Sequence, residues 1–163
     1  KGPKGDKENN KVQELYDGVN MQRLAATAED GIFRPILVPN DSLELAASDY
    51  ADFLKALSKE LGYNVIGHFE DGSPKDRAIR AGYAEGVIVT STGFVALGVG
   101  ENNCACSNSV VNKIGPAEHF ALSYAHYRNQ IDPDWEEIGA AVVSLGGGKQ
   151  LWVVDFGWRI LEE

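Results

Sequence analysis

Apolar residues recur at close to a helical period from Val12 to Asp30, at Val12, Leu15, Val19, Leu24 and Ala28, and Gly31 follows as a stop. The spacing predicts a first helix, with Met21 packed in or against the core. Pro35 and Pro39 keep the next stretch extended. Asp41 or Ser42 then caps a second helix, whose buried stripe is Leu45, Ala46, Asp49, Tyr50, Phe53, Leu54 and Leu57, and Gly62 ends it. "YNVIGHF" reads as a short extended segment. After a turn at Asp71-Gly72, Ser73-Pro74 opens a third helix with proline at its first position.

Beyond Tyr83 the pattern changes. "GVIVTSTGFVALGVG" is β-branched and apolar, broken at Ser91, Thr92 and Gly93, and predicts two short strands joined by a turn. A helix restarts at Gly115-Pro116 and runs through "AEHFALSYAHYRNQ". Two apolar runs, Ile138–Leu145 and Leu151–Phe156, close the chain as a β-hairpin joined by "GGGK". That glycine run lacks a following Ser or Thr and sits between two strands, so it is a turn and not a phosphate loop. Helices, a β region, a helix and a terminal hairpin imply an antiparallel sheet covered by helices, an α+β architecture. There is no βαβ repeat and no Rossmann motif. With 163 residues the chain is one domain, placed at 12–163, and the Lys-, Gly- and Asn-rich residues 1–11 are expected to form a flexible tail.

The net charge of −9 and a pI of about 4.8 argue against nucleic acid and anionic membranes as partners. Residues 85–163 hold 10 acids against 4 bases, so no basic stripe exists there. No run of 18 apolar residues is present, so the chain is not expected to be transmembrane. The cysteines, Cys104 and Cys106, are one residue apart. A bond between them would close a very small ring, so free thiols are the expected state, with a strained bridge, metal binding or intermolecular pairing as the alternatives.

The chemistry-bearing residues are few. His119 and His126 stand seven residues apart, near two turns, and so can face one way on a single helix. Two histidines and a carboxylate converging from distant segments can hold zinc or another divalent cation. They can also act as general acid and base. Asp71, Asp76, Arg77 and Arg80 read as a solvated helix start. Asp132, Asp134, Glu136 and Glu137 read as a solvated acidic loop without EF-hand spacing. The late aromatics, Trp135, Trp152, Phe156 and Trp158 among them, are expected between helix and sheet, and some could line an apolar groove.

Several segments in order resemble the CAP superfamily (the SCP/PR-1-like, cysteine-rich secretory protein family) in its bacterial SCP-like branch. "VNMQRL", with Asn20 and Arg23, resembles the first-helix pattern of the family. "HFEDGSPKDRAIRAGY" is similar to its run of His68, Asp71-Gly72, Pro74, Arg77 and Gly82-Tyr83. "GENN" resembles its Gly-Glu-Asn-Ile motif, "FALSYAHYRNQIDPDWEEIGAAV" its Ser- and His-bearing helix with the strand beyond, and "KQLWVVDFG" its closing aromatic strand. Departures are Asn103 where an apolar residue is common, Phe120 at a Trp position, and Tyr127 where Arg usually follows the second histidine.

The resemblance implies a three-layer α-β-α sandwich with a central, mainly antiparallel sheet, in a protein that is secreted, extracellular or attached to the cell surface. It implies a cleft formed by His68, Glu101 and His126, which would be the metal-binding or catalytic residues, with a divalent cation (Zn or Mg) as the cofactor. The function implied is binding of that cation and of a lipid, another small apolar ligand or a surface protein, by a monomer or weak dimer. Two other functions compete. One is a metal-assisted peptide or ester hydrolase, with Glu101 taking a proton from water on a metal held by His68 and His126, or with Ser91, Thr92 or Ser123 as nucleophile. The other is a structural or adhesive interaction module. His119 matches no family position and is expected at the surface or behind the site.

Overall fold

The computed structural model describes residues 6–163. The first helix, α1, covers Asp6–Asp30. It thus takes in residues 6–11, assigned above to the tail; they contain neither Gly nor Pro and lengthen the helix with exposed polar residues at 7–10. The rest of the expected tail, residues 1–5, lies outside the described residues. There follow β1 (Val38–Pro39), α2 (Asp41–Leu61), α3 (Pro74–Arg80), β2 (Leu97–Ser107), α4 (Asn108–Ile114), α5 (Pro116–Ala121), α6 (Tyr124–Gln130), β3 (Glu137–Gly146) and β4 (Lys149–Arg159).

The four strands form one sheet in the order β1-β3-β4-β2, antiparallel except for the parallel β1–β3 pair. Side chains alternate between its faces. On β4, Trp152, Val154 and Phe156 pack with Leu15, Val19 and Phe120 from α1 and α5. Leu151 and Val153 point the other way, onto Tyr50 and Leu54 of α2. A strand covered on both faces reads as an unbroken apolar run, which is why "LWVVDF" lacks alternation. This is the α-β-α sandwich expected from the sequence.

Helix α2 is capped by Asn40, one residue earlier than expected, whose side chain accepts from the Leu43 backbone N–H at 3.0 Å. Its C-terminus is the expected left-handed Gly62. The buried stripe is rotated from the expected one: Leu43, Ala46, Ala47, Tyr50, Ala51, Leu54 and Ser58 are inside, and Leu45 and Phe53 are exposed. The reason is close approach. A Cβ built on Gly139 of β3 would collide with the backbone of Leu43 and Glu44, so small residues must fill the centre of that contact. In α1, Met21 and Leu24 are exposed and Arg23 points inward in their stead.

The helix expected to carry both His119 and His126 is broken. It ends at Ala121, and Ser123 is extended (φ −97°, ψ 124°) and caps α6 by accepting from the His126 N–H. The two histidines therefore sit on separate short helices. Of the two strands expected after Tyr83, the second is realised at Leu97–Gly100 as the start of the long edge strand β2, while the first reduces to isolated bridges at Val87 and Val89, with Ser91 and Thr92 in the exposed turn between them.

Candidate functional site

Strand β2 lies at the sheet edge, and its period of two sends consecutive residues to opposite layers. Glu101 faces the α2/α3 layer, and Asn102 faces α6. Each fixes one histidine-bearing segment. The Glu101 carboxylate accepts from His68 Nδ1 at 2.9 Å, and the Asn102 amide donates to the His126 backbone carbonyl at 3.1 Å. Asn129 donates to Asn102 Oδ1 (3.1 Å) and accepts from Trp135 Nε1 (3.2 Å), which pins α6 to the strand. His68 and His126 consequently line one open cleft of about 460 Å³, with Asn102, Arg128 and Asp132 on its other walls.

Around Glu101 the residues are buried and charged. Arg77, 2% exposed, donates to Glu101 Oε2 at 2.7 Å. It also donates to the His68 carbonyl (2.8 Å) and the Gly72 carbonyl (2.5 Å). Its guanidinium stacks on the Tyr50 ring, 3.4 Å from the centroid, a cation–π contact with solvent excluded. The Tyr50 hydroxyl donates to the Gly67 carbonyl (2.5 Å) and Asn103 donates to the same oxygen (2.7 Å). The backbone beneath His68 is held on both sides. Asn103 also donates to Glu101 Oε1 at 3.2 Å, which gives the departure from an apolar residue a physical role. Arg77, expected in a solvated helix start, is instead the cation of this cluster.

Glu101 accepts from a histidine, an arginine and an amide. Burial alone would raise its pKa, but the His68 bond, the adjacent Asp155 carboxyl and the Arg77 charge outweigh it and hold the carboxyl below the usual range. Because it is a carboxylate, His68 must carry its proton on Nδ1, leaving Nε2 as the lone-pair nitrogen, the arrangement that readies a histidine as ligand or base. The Glu101 side chain is itself wholly buried. It orients His68 and has no solvent-facing oxygen with which to ligate a metal or deprotonate a water.

Opposite Glu101 on β4 stands Asp155, fully buried. Neither of its oxygens has a partner at good hydrogen-bond geometry among the described residues, and the group within reach is Glu101. Burial first, and the Glu101 charge second, push its pKa well above the usual value, which favours the neutral acid. A group whose folded pKa is raised contributes stability fully below its unfolded pKa and loses it as pH rises towards the folded value. Asp155→Asn keeps the shape and a donor towards Glu101 without the proton uptake. It is expected to be more stable than wild type at pH 7, the difference fading as pH falls towards the ordinary carboxylate range. Urea unfolding across that range checks this, and parallel curves for the two proteins would refute it.

His126 sits edge-on to Phe120, ring centroids 5.2 Å apart. Burial, then the neighbouring His68 and His119, lower its pKa, which favours the neutral imidazole. The cleft thus offers two imidazoles, a donor set that fits a cation completing its shell with water but not a closed structural zinc site. The candidate nucleophiles fare differently. Ser123 is a helix cap, and Ser91 and Thr92 lie in an exposed turn with no histidine bonded to them.

Among the described residues, one group of three metal-binding side chains converges, and it is not the cleft: Cys104, Cys106 and His119, whose ligand atoms all lie within 4.8 Å of one another. The two cysteines are joined as a disulfide, contrary to the free thiols expected. The sequence had pointed to neither Asp155 nor this triad. A lone acid inside "LWVVDFG" and the C-x-C spacing were the available signals.

Two solved structures share this fold. An outer surface protein of Borrelia burgdorferi matches with a TM-score of 0.64 at 22% identity, over 98% of this chain and 100% of its own. A venom allergen-like protein of Schistosoma mansoni matches with a TM-score of 0.50 at 13% identity, over 96% of this chain and 91% of its own. No family model and no curated protein matches the sequence. The likeness carries the fold, the α-β-α sandwich described above, over 98% and 96% of this chain.

Proposed function

We propose that the chain is a CAP-superfamily domain of the bacterial SCP-like branch, secreted or displayed at the cell surface, that binds a divalent cation in its cleft and does not hydrolyse a substrate there. The observation that carries this reading is the state of Glu101. Its bonds fix the His68 tautomer, and its burial removes it as a general base. What remains open to solvent is a pair of imidazoles on polar walls, a place for a cation with water and a small polar ligand. Surface location is supported by the sequence resemblance and by the likeness to an outer surface protein. No helix among the described residues is long and apolar enough to cross a membrane.

The cleft's polar walls suit an apolar ligand poorly. A groove of about 380 Å³ beside Met21, Leu24 and Ile36, with Phe33 exposed nearby, is the better seat for the lipid or other apolar ligand expected from the sequence.

Zinc calorimetry at pH 7.5, without reductant, tests the cleft reading. Wild type should bind one zinc with micromolar affinity, and a folded His68→Ala/His126→Ala variant should bind none. Binding should weaken as pH falls and the imidazoles take up protons. Absence of binding, or binding that survives the double substitution, refutes the cation site. Leu24→Asp should leave zinc binding intact while abolishing uptake of a fluorescent fatty acid; unchanged uptake refutes the groove.

A further inference from the structure

Cys104 and Cys106 are two apart on β2 and so project from the same face of the edge strand, with Cα atoms 5.5 Å apart. That face looks onto the α1/α5 layer, where Cys106 is 2% exposed and Cys104 half-buried beside it. His119 of α5, half-buried, brings a ring nitrogen within 4.8 Å of both sulfurs. The disulfide joins neighbours on one strand. It spans no loop and ties no two elements, so chain-entropy stabilisation of the fold, which grows with loop length, is a weak reason for it. The strand is also already bonded to β4 along its whole length, with Cys104 opposite Trp152 and Cys106 opposite Gln150.

We propose that Cys104, Cys106 and His119 form a redox-gated site for a soft divalent cation of the zinc class, separate from the His68/His126 cleft. In the disulfide the sulfurs carry no thiolate charge and cannot hold the ion. A dithiol reductant, R(SH)2, opens the bond by thiol–disulfide exchange. The protein disulfide gains two electrons and two protons and becomes two thiols, while the reductant becomes its own cyclic disulfide. Zinc then displaces both thiol protons and is held by two thiolates and the His119 imidazole, with the fourth position left to water. In reverse, a disulfide oxidant takes two electrons from the two thiolates, the protein disulfide forms again, and zinc leaves as the free ion. Two sulfurs and an imidazole select zinc or cobalt over magnesium or calcium, which prefer oxygen ligands. Cys104 and His119 are half-buried, so the reductant meets the Cys104 sulfur first, and Cys106 contributes its thiolate from the edge of the core.

The test uses the full chain carrying His68→Ala/His126→Ala, so that the cleft contributes nothing, with cobalt(II) as the probe. After reduction by dithiothreitol and its removal under anaerobic conditions, one cobalt per chain should bind with a sulfur-to-cobalt charge-transfer band in the near ultraviolet. Stoichiometric zinc should displace it, and the air-oxidised chain should show no band. His119→Ala should weaken cobalt binding at least about tenfold, and Cys104→Ser/Cys106→Ser should abolish the band. The proposal is overturned if the reduced chain binds no cobalt through sulfur, if His119→Ala binds as tightly as its parent, or if circular dichroism shows that reduction unfolds the chain. Because the cleft histidines are absent throughout, failure here leaves the cleft reading untouched, and failure of the cleft reading leaves this site standing.

Discussion

Arg77→Met is expected to destabilise the protein by about 3–5 kcal/mol, the usual cost of removing one member of a buried charge pair. Arg77 and Glu101 are both shut off from solvent, at 2% and 0% side-chain exposure. Without the guanidinium, Glu101 would face Asp155 across the β2–β4 ladder with only His68 and Asn103 to offset its charge. The carbonyls of His68 and Gly72 would also lose their donor. Glu101→Gln should cost a similar amount for the complementary reason, an unpaired buried cation. The pair interacts directly, so Arg77→Met/Glu101→Gln should cost clearly less than the two single losses added together. Urea unfolding at pH 7 of the three variants measures this coupling. Single losses under about 1 kcal/mol, or strict additivity, would mean that the cluster does not hold the loop bearing His68. The Arg77→Met loss should also grow as pH rises from 4 to 7, since protonation of Glu101 at low pH removes the buried charge that Arg77 otherwise balances.

The second large effect is expected at Arg23, whose guanidinium hydrogen-bonds backbone carbonyls and no carboxylate among the described residues. Its guanidinium donates to four backbone carbonyls: Pro35 at 2.9 Å, Gln130 at 3.0 Å, Asp132 at 2.7 Å and Trp135 at 3.1 Å. At 1% exposure, burial pushes its pKa down to about 10, which still leaves it charged at neutral pH. Three residues earlier on α1, about one turn away, Asn20 bonds both the N–H and the carbonyl of Leu37, so the helix holds the segment before β1 and the loop after α6 together. Arg23→Ala would leave four acceptors without their donor, with an expected loss of about 3–5 kcal/mol. In a chain of this size that corresponds to a fall in Tm on the order of 10 °C. Arg23→Lys should recover less than half, because a single ammonium cannot reach four carbonyls arranged around a planar fork. A Tm within a few degrees of wild type for Arg23→Ala would show that water replaces the guanidinium at little cost. The loop it ties carries Asp132, a wall of the cleft, so weaker zinc binding should accompany the lost stability.

These two arginines show how far the sequence could be read. Both stand in segments whose resemblance to a family is visible, yet local pattern places them wrongly. Arg77 follows Asp71 and Asp76 and reads as a solvated helix start. Arg23 sits between Leu24 and Met21, which the helical period claims for the core. An arginine goes inside only when carbonyls or carboxylates from other segments meet it, and those partners lie 5 to 112 residues away along the chain. No window of neighbouring residues contains that information. The same holds for Asp155, whose raised pKa comes from burial between the layers first and from Glu101 in the facing strand second.

What the sequence alone determined is what local physics controls. Apolar period and glycine stops place α1, α2 and the β3–β4 hairpin, because burial of a stripe and the left-handed freedom of Gly62 act over a few residues. An antiparallel sheet covered by helices follows from the order of those elements, the three-layer sandwich is what the family resemblance implies, and His68, Glu101 and His126 were picked out by their motif segments. Only the tertiary structure decided what those residues do. The edge position of β2 turns two consecutive residues, Glu101 and Asn102, towards opposite layers, so one carboxylate becomes a buried brace for His68 while its neighbour anchors the helix of His126. That same strand face brings Cys104 and Cys106 under His119, a contact set by how a helix packs on a sheet and by nothing in the order of the residues.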